Sequence, residues 1–138
     1  MSIDYIIREV ESIVNNLMKS HPAIIRVVIT DHQGMIIAKN FKTFNYDPKE
    51  EKSPNPAIPL LNSILENSEK FLGFMKVSPT DVFIFTWWFQ KQIIFAASSP
   101  YGFIGLFCEP DVDQGWVKKV LKEQARKYNQ IMRSVFTS

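Results

Sequence analysis

Two histidines, one cysteine and the serine pair Ser98-Ser99 are the side chains whose types could do nucleophilic, proton-transfer or transition-metal chemistry. Their spacing assembles none of it. His21 stands beside Pro22 in a connecting stretch, and His32 lies within Asp31-His32-Gln33-Gly34, a turn sequence. Ser98-Ser99-Pro100-Tyr101-Gly102 also reads as a turn, without the flanking glycines of a nucleophile elbow. Cys108 closes an apolar run and is expected to be a buried hydrophobe. Glu109, Asp111 and Asp113 are too few for the oxygen ladder of a calcium loop. Asp111 or Asp113 instead suits the capped start of a helix. There is no Cys-x-x-Cys and no His-Glu-x-x-His, and Gly34, Gly73, Gly102, Gly105 and Gly115 are scattered rather than clustered around a phosphate. The expectation is a protein without catalysis, cofactor or metal.

The elements that must position everything else centre on Asp81 to Cys108. Three apolar runs, Asp81–Trp88, Gln92–Ser98 and Phe103–Cys108, are separated by short breaks and predict an antiparallel meander. In the first run Val82 and Ile84 alternate with Phe83, Phe85 and Trp87, so both faces are apolar. A sheet with one face in water would alternate apolar with polar. Both faces therefore need covers.

The covers are legible as helices. Ile3, Ile6, Val10, Ile13, Val14 and Leu17 recur at helical spacing over residues 3–19. Ile24–Thr30 and Met35–Lys39 flank the Asp31–Gly34 turn as a hairpin. Leu60, Leu61, Ile64, Leu65, Ser68, Phe71, Leu72 and Met75 form a band along a helix over 57–75, wider than one stripe on a sheet requires. A last helix from about Asp113 to Phe136 buries Val117, Val120, Leu121, Tyr128, Ile131, Met132 and Val135. Residues 40–56, with three prolines and six charges but few apolar residues, predict a mobile loop.

Composition limits the class. A chain of 138 residues with 46% hydrophobic and 22% charged residues suits one globular domain, 1–138. Its net charge of +2 is too small to argue for nucleic acid. The charge is uneven: residues 112–138 hold six basic and two acidic side chains, net +4. Lys118, Lys119, Lys122, Arg126 and Arg133 on the last helix are candidates for contact with an acidic partner or an anionic membrane. One cysteine, no signal-like start and no apolar run of membrane-spanning length predict a cytoplasmic protein.

The element order, helix-strand-strand-helix-strand-strand-strand-helix, resembles the Roadblock/dynein light chain family within the wider Roadblock and longin group. The hairpin Ile25-Arg26-Val27-Val28-Ile29-Thr30-Asp31-His32-Gln33-Gly34-Met35-Ile36-Ile37-Ala38 is similar to that family's strand, Asp-x-x-Gly, strand opening. The resemblance implies an α+β sandwich: a five-stranded antiparallel sheet with the first and last helices on one face and the middle helix on the other. It further implies a homodimer, or a heterodimer with a related Roadblock protein, through the middle helix and the following strand. Here those interface positions are Leu61, Leu65, Ser68, Phe83, Phe85 and Trp87. The function it implies is a non-catalytic scaffold that binds or regulates a small Ras-like GTPase or a motor–cargo complex. Two further readings follow from the residues. A longin-like membrane-trafficking adaptor would use the basic last helix, and a small-molecule sensor would use the aromatic interior.

Overall fold

The computed structural model describes residues 3–42, 57–76 and 82–137. In chain order these form α1 (Ile3–Ser20), β1 (Ile24–Thr30), β2 (Ile36–Phe41), α2 (Ala57–Phe74), β3 (Phe83–Trp88), β4 (Ile93–Ser99), β5 (Gly102–Cys108) and α3 (Gln114–Thr137). The five strands make one antiparallel sheet in the order β2-β1-β5-β4-β3. β2 and β3 are its two edges.

The order matches the expectation, with small shifts at the ends. The strand expected from Asp81 starts at Phe83, and Asp81 lies outside the described residues. β2 runs past Lys39 to Phe41, so Asn40 and Phe41 are strand rather than loop. The remainder of the expected mobile loop, residues 43–56, lies outside the described residues.

The first hairpin closes as its sequence demands. The Asp31 carboxylate accepts hydrogen bonds from the backbone N–H groups of Gln33 at 2.9 Å and Met35 at 3.0 Å. Gly34 follows at φ +83°, a conformation that costs glycine little.

The two faces of the sheet are covered unequally. On one, Val10, Ile13, Val14 and Leu17 of α1 and Val117, Leu121, Ala125 and Tyr128 of α3 pack with Ile24, Val27, Ile29, Phe95, Ile104 and Leu106. Tyr128 is buried, and its hydroxyl lies 3.1 Å from the Thr30 carbonyl and 3.3 Å from that of Tyr101. Burial, then the nearby Asp31 carboxylate, pushes this phenol well above its usual range. His21 stands between the end of α1 and the start of α3. Its Nδ1 accepts from Ala23 N–H at 3.0 Å, and its Nε2 stands 3.4 Å from Asp113 N at the start of α3.

On the other face the buried cluster is small: Val28, Leu65, Ala96 and Phe103. Leu61, Phe85, Trp87 and Phe107 pack around it and stay half-exposed. The alternation within β3 is as expected, with Val82 and Ile84 facing α1 and α3, and Phe85 and Trp87 facing α2.

Cys108 is fully buried in the larger core, and burial pushes its thiol up to about 12. A thiol at that value is protonated and unreactive at neutral pH. Ellman's reagent at pH 8 is expected to leave it unmodified until denaturant is added. The same shift fixes a sign for stability. The folded state holds the proton that the unfolded chain releases above its ordinary value of 9.0. Cys108 therefore contributes full stability below about pH 9 and loses it as pH rises toward about 12. Tyr128 acts in the same direction above its ordinary value of 10.0. Denaturant midpoints are expected to fall on the alkaline side, from about pH 9 upward.

Candidate functional site

No group of three or more His, Cys, Asp or Glu side chains among the described residues could hold a metal ion. No helix among them is long and apolar enough to cross a membrane. What the fold does present is apolar surface on α2 and β3.

α2 is apolar on average, yet Leu65 is its one fully buried side chain among residues 61–74. Ile64 is 47% exposed, Phe71 62% and Phe74 88%. A helix serving only its own core would bury such residues, as α1 buries four. The excess width expected from the sequence is therefore real, and it faces outward.

Between α2 and β3 lies a trough of about 430 Å³ lined by Ile64, Asn67, Ser68, Phe71, Leu72 and Phe85. The Ser68 hydroxyl does not reach into it as a free donor, because it donates to the Ile64 carbonyl at 2.8 Å. The floor continues along β3, where Phe83 and Phe85 rings lie 6.5 Å apart and Phe85 and Trp87 rings 6.2 Å apart. Trp88 and Phe89, at the end of this strand, are 63% and 55% exposed.

The six expected interface residues separate by exposure. Ser68, Phe83, Phe85, Trp87 and Leu61 are all part-exposed on the α2 face. Leu65 is 2% exposed and faces Val28, Ala96 and Phe103. It holds α2 onto its own sheet, so it is removed from the candidate surface as a correction.

The two sheet edges differ in a way no composition could reveal. At β2 the register slips between Ile29 and Thr30, so Ile37 is an extra residue that bulges the strand. Asn40 turns its amide oxygen onto Phe41 N–H at 2.8 Å. Lys39 adds an exposed charge. Bulges and edge lysines are the usual devices that discourage a further strand. β3 has none of them: its register with β4 is unbroken from Phe83↔Ser98 to Trp88↔Ile93.

A second cavity, about 210 Å³, lies between the hairpin tip and α2, with a mixed lining in which His32, Glu66, Glu69 and Ser98 face Leu65 and Phe103. The Ser98 hydroxyl donates to the Glu69 carboxylate across it. Drug-sized ligands occupy pockets of roughly 300–1,000 Å³ with a mostly apolar lining. This cavity is smaller than that range, which does not favour the sensor reading.

The basic residues share one side of α3. At 100° per residue, Lys118, Lys122, Arg133, Arg126 and Lys119 fall within about a quarter-turn of one another. The stripe lies away from α1, which α3 meets through Trp116, bonded to the Ser20 carbonyl at 3.1 Å, and Lys127, 3.9 Å from Glu9. Lys118 is not wholly a solvated charge. Its ammonium sits 6.0 Å from the ring centroids of both Trp88 and Phe95. Lys119 stands 5.8 Å from the Trp116 ring.

Neither protein-family models nor curated proteins match this sequence. Solved structures do. The gliding protein MglB from Thermus thermophilus superposes with a TM-score of 0.73 over 94% of this chain and 92% of its own, at 10% identity. The chain has the Roadblock/longin fold. A Roadblock/LC7 domain from Streptomyces avermitilis agrees, with a TM-score of 0.69 over 89% of this chain and 97% of that one at 10% identity. A structure described as MglB with tetrameric arrangement scores 0.71 over 92% and 89% at 13% identity. At such identities the Roadblock likeness is one of fold, and site chemistry has to come from this chain's own residues.

Proposed function

We propose that this protein is a non-catalytic scaffold module that associates with itself through α2 and β3 and binds or regulates a small Ras-like GTPase. The observation that carries the first half is the pairing of an under-buried apolar helix with a sheet edge that none of the described residues guards. Contiguous apolar surface of this kind marks interaction sites on soluble domains. The tetrameric arrangement described for an MglB structure supports self-association of a chain with this fold. The inert Cys108 supports a role without thiol chemistry. A single buried cysteine suits the reducing cytoplasm.

The GTPase half rests on the family resemblance of the hairpin and element order. Its test is a pull-down of purified small GTPases, loaded separately with GDP and with a non-hydrolysable GTP analogue. Retention of one nucleotide form above the other is the expected result. Equal background retention of both, across the GTPases of the source organism, overturns it. The mass of the protein by light scattering in a dilution series tests the self-association half. A mass near twice 16.0 kDa is expected.

A further inference from the structure

We infer that the end of β3 and the basic side of α3 form one surface that docks this protein peripherally onto an anionic lipid bilayer. This goes beyond the scaffold reading and uses a different face of the molecule. Phe85 and Trp87 turn toward α2, whereas Trp88 turns toward α3.

The surface has an aromatic part. The turn from β3 to β4 is closed by the Phe89 N–H, which donates to the Gln92 carbonyl at 2.9 Å. It carries the exposed rings of Trp88 and Phe89, and Trp116 in the first turn of α3 is exposed as well. α3 begins beside this turn, because the Trp88 indole N–H donates to the Gln114 side chain at 3.3 Å. The Trp116 indole N–H donates to the Ser20 carbonyl at 3.1 Å. Both indole donors are therefore satisfied within the protein. What each ring turns outward is hydrocarbon, which can leave water without stranding a polar group. Tryptophan is enriched at the level where bilayer headgroups meet the acyl chains.

The basic part is interleaved with these rings. The Lys118 ammonium lies 6.0 Å from the Trp88 ring centroid, and that of Lys119 lies 5.8 Å from the Trp116 ring. Lys91 adds an exposed charge in the turn. From Lys118 the row continues through Lys122 and Arg126 to Arg133, about 22 Å along the axis at a rise of 1.5 Å per residue. Glu123 is the one acid in α3. Three more acids precede the helix. Glu109 is held at the start of β1, its N–H donating to the Ala23 carbonyl at 2.8 Å. The Asp113 carboxylate accepts from the Trp116 N–H at 3.1 Å, and Asp111 is exposed. The cationic row leads away from all three.

Charge and rings together select the occupant. Each cation near an anionic leaflet is worth roughly a five-fold gain in partitioning. A soluble acidic chain would answer the cations and leave the rings in water. Single-stranded nucleic acid stacks bases on open aromatic faces, but Lys118 already stands over Trp88. Trp88, Phe89 and Trp116 line neither cavity described above. They stand out from a turn and a helix shoulder, which suits a fluid surface that closes around them. No helix among the described residues is long and apolar enough to cross a membrane, so the contact is peripheral.

The test is sedimentation of the full chain with vesicles of phosphatidylcholine, alone or mixed with phosphatidylserine, at low salt and at about 0.5 M salt. Binding is expected only to the vesicles that contain phosphatidylserine, with a blue shift of tryptophan emission, and is expected to be lost at the higher salt. The double variant Lys119→Gln, Arg126→Gln replaces two exposed cations and is expected to bind about 25-fold more weakly. Phe89→Ser is expected to bind at least about five-fold more weakly, with the same salt dependence. Circular dichroism checks that both variants fold. Absence of sedimentation at low salt, or equal sedimentation with phosphatidylcholine alone, overturns the proposal. So does capture of soluble polyglutamate or oligothymidine as tightly as the vesicles, with Phe89→Ser without effect, because the face then serves a soluble polyanion. None of these outcomes bears on self-association, which light scattering reads separately.

Discussion

Phe85→Lys is expected to release monomers in a light-scattering dilution series, with the dissociation constant raised by at least about thirty-fold. Phe85 lines the trough, stacked on Trp87 and tilted against Phe83 on the candidate surface. Truncating a central aromatic contact commonly costs about 2 kcal/mol or more, which is that factor. A lysine there also leaves an ammonium without a counter-charge in a desolvated seam. Phe85 touches its own core cluster as well, so a fold defect could imitate dissociation. Phe71→Lys separates the two. Phe71 is 62% exposed in the single chain, and a surface substitution there changes stability by only about 0.5 kcal/mol. It is expected to give monomers whose circular dichroism matches the parent's, the melting temperature falling only by what association contributed. If both lysine variants keep the mass of two chains, α2 and β3 are not the contact.

Gly102→Ala is expected to lower the melting temperature by about 10 °C or more. Gly102 sits at φ +139° where β4 turns into β5, and a Cβ there would stand 1.9 Å from the Thr30 carbonyl oxygen. That neighbour is backbone and cannot swing aside. The disfavoured φ alone costs about 1–3 kcal/mol. Displacing Thr30 also disturbs the Phe103 N–H bond to its hydroxyl at 3.2 Å and the Tyr128 bond to its carbonyl. A lost buried hydrogen bond adds about 1–3 kcal/mol. For a chain of this length each kcal/mol moves the midpoint by roughly 3–5 °C. Gly73→Ala is the control. It lies in the last turn of α2 with nothing within 4 Å of its Cβ position, and alanine there gains part of the about 1 kcal/mol it gains over glycine in a helix interior. Its melting temperature is expected to rise.

Neither result depends on the GTPase: the first probes the surface and the second the frame that holds it. Should Gly102→Ala melt as the parent does, the close approach of β5 to the end of β1 does not hold in solution. Should Phe85→Lys and Phe71→Lys both dissociate the protein while remaining folded, GTPase binding by the two monomers then reports whether the client needs the assembled pair.

Much of this was determined by the sequence alone. The alternation of Val82 and Ile84 with Phe83, Phe85 and Trp87 required covers on both sides of the sheet, because side chains in a strand point alternately to opposite faces. Asp31 and Gly34 determined the first hairpin through local hydrogen bonding and a permitted positive φ. The apolar spacing of α1 and α3 determined which of their faces are buried. These are short-range consequences of backbone geometry, so each could be read without knowing what lay across the core. Tertiary structure decided the rest. Leu65 and Phe71 share one apolar band, yet one is a core residue and the other is surface, and only the position of α2 on the sheet separates them. His21, in sequence a residue of a connecting stretch beside a proline, stands beside Asp113 because the chain returns there some ninety residues later. Lys118 rests over Trp88 and Phe95 for the same reason. Above all, β2 and β3 are both edges, and their apolar content would suit either for pairing. The bulge at Ile37 is a property of register between two strands, and register is set by partners distant in sequence. That is why the open edge, and with it the surface on which this protein's function is proposed to rest, is written in the fold rather than in any one segment.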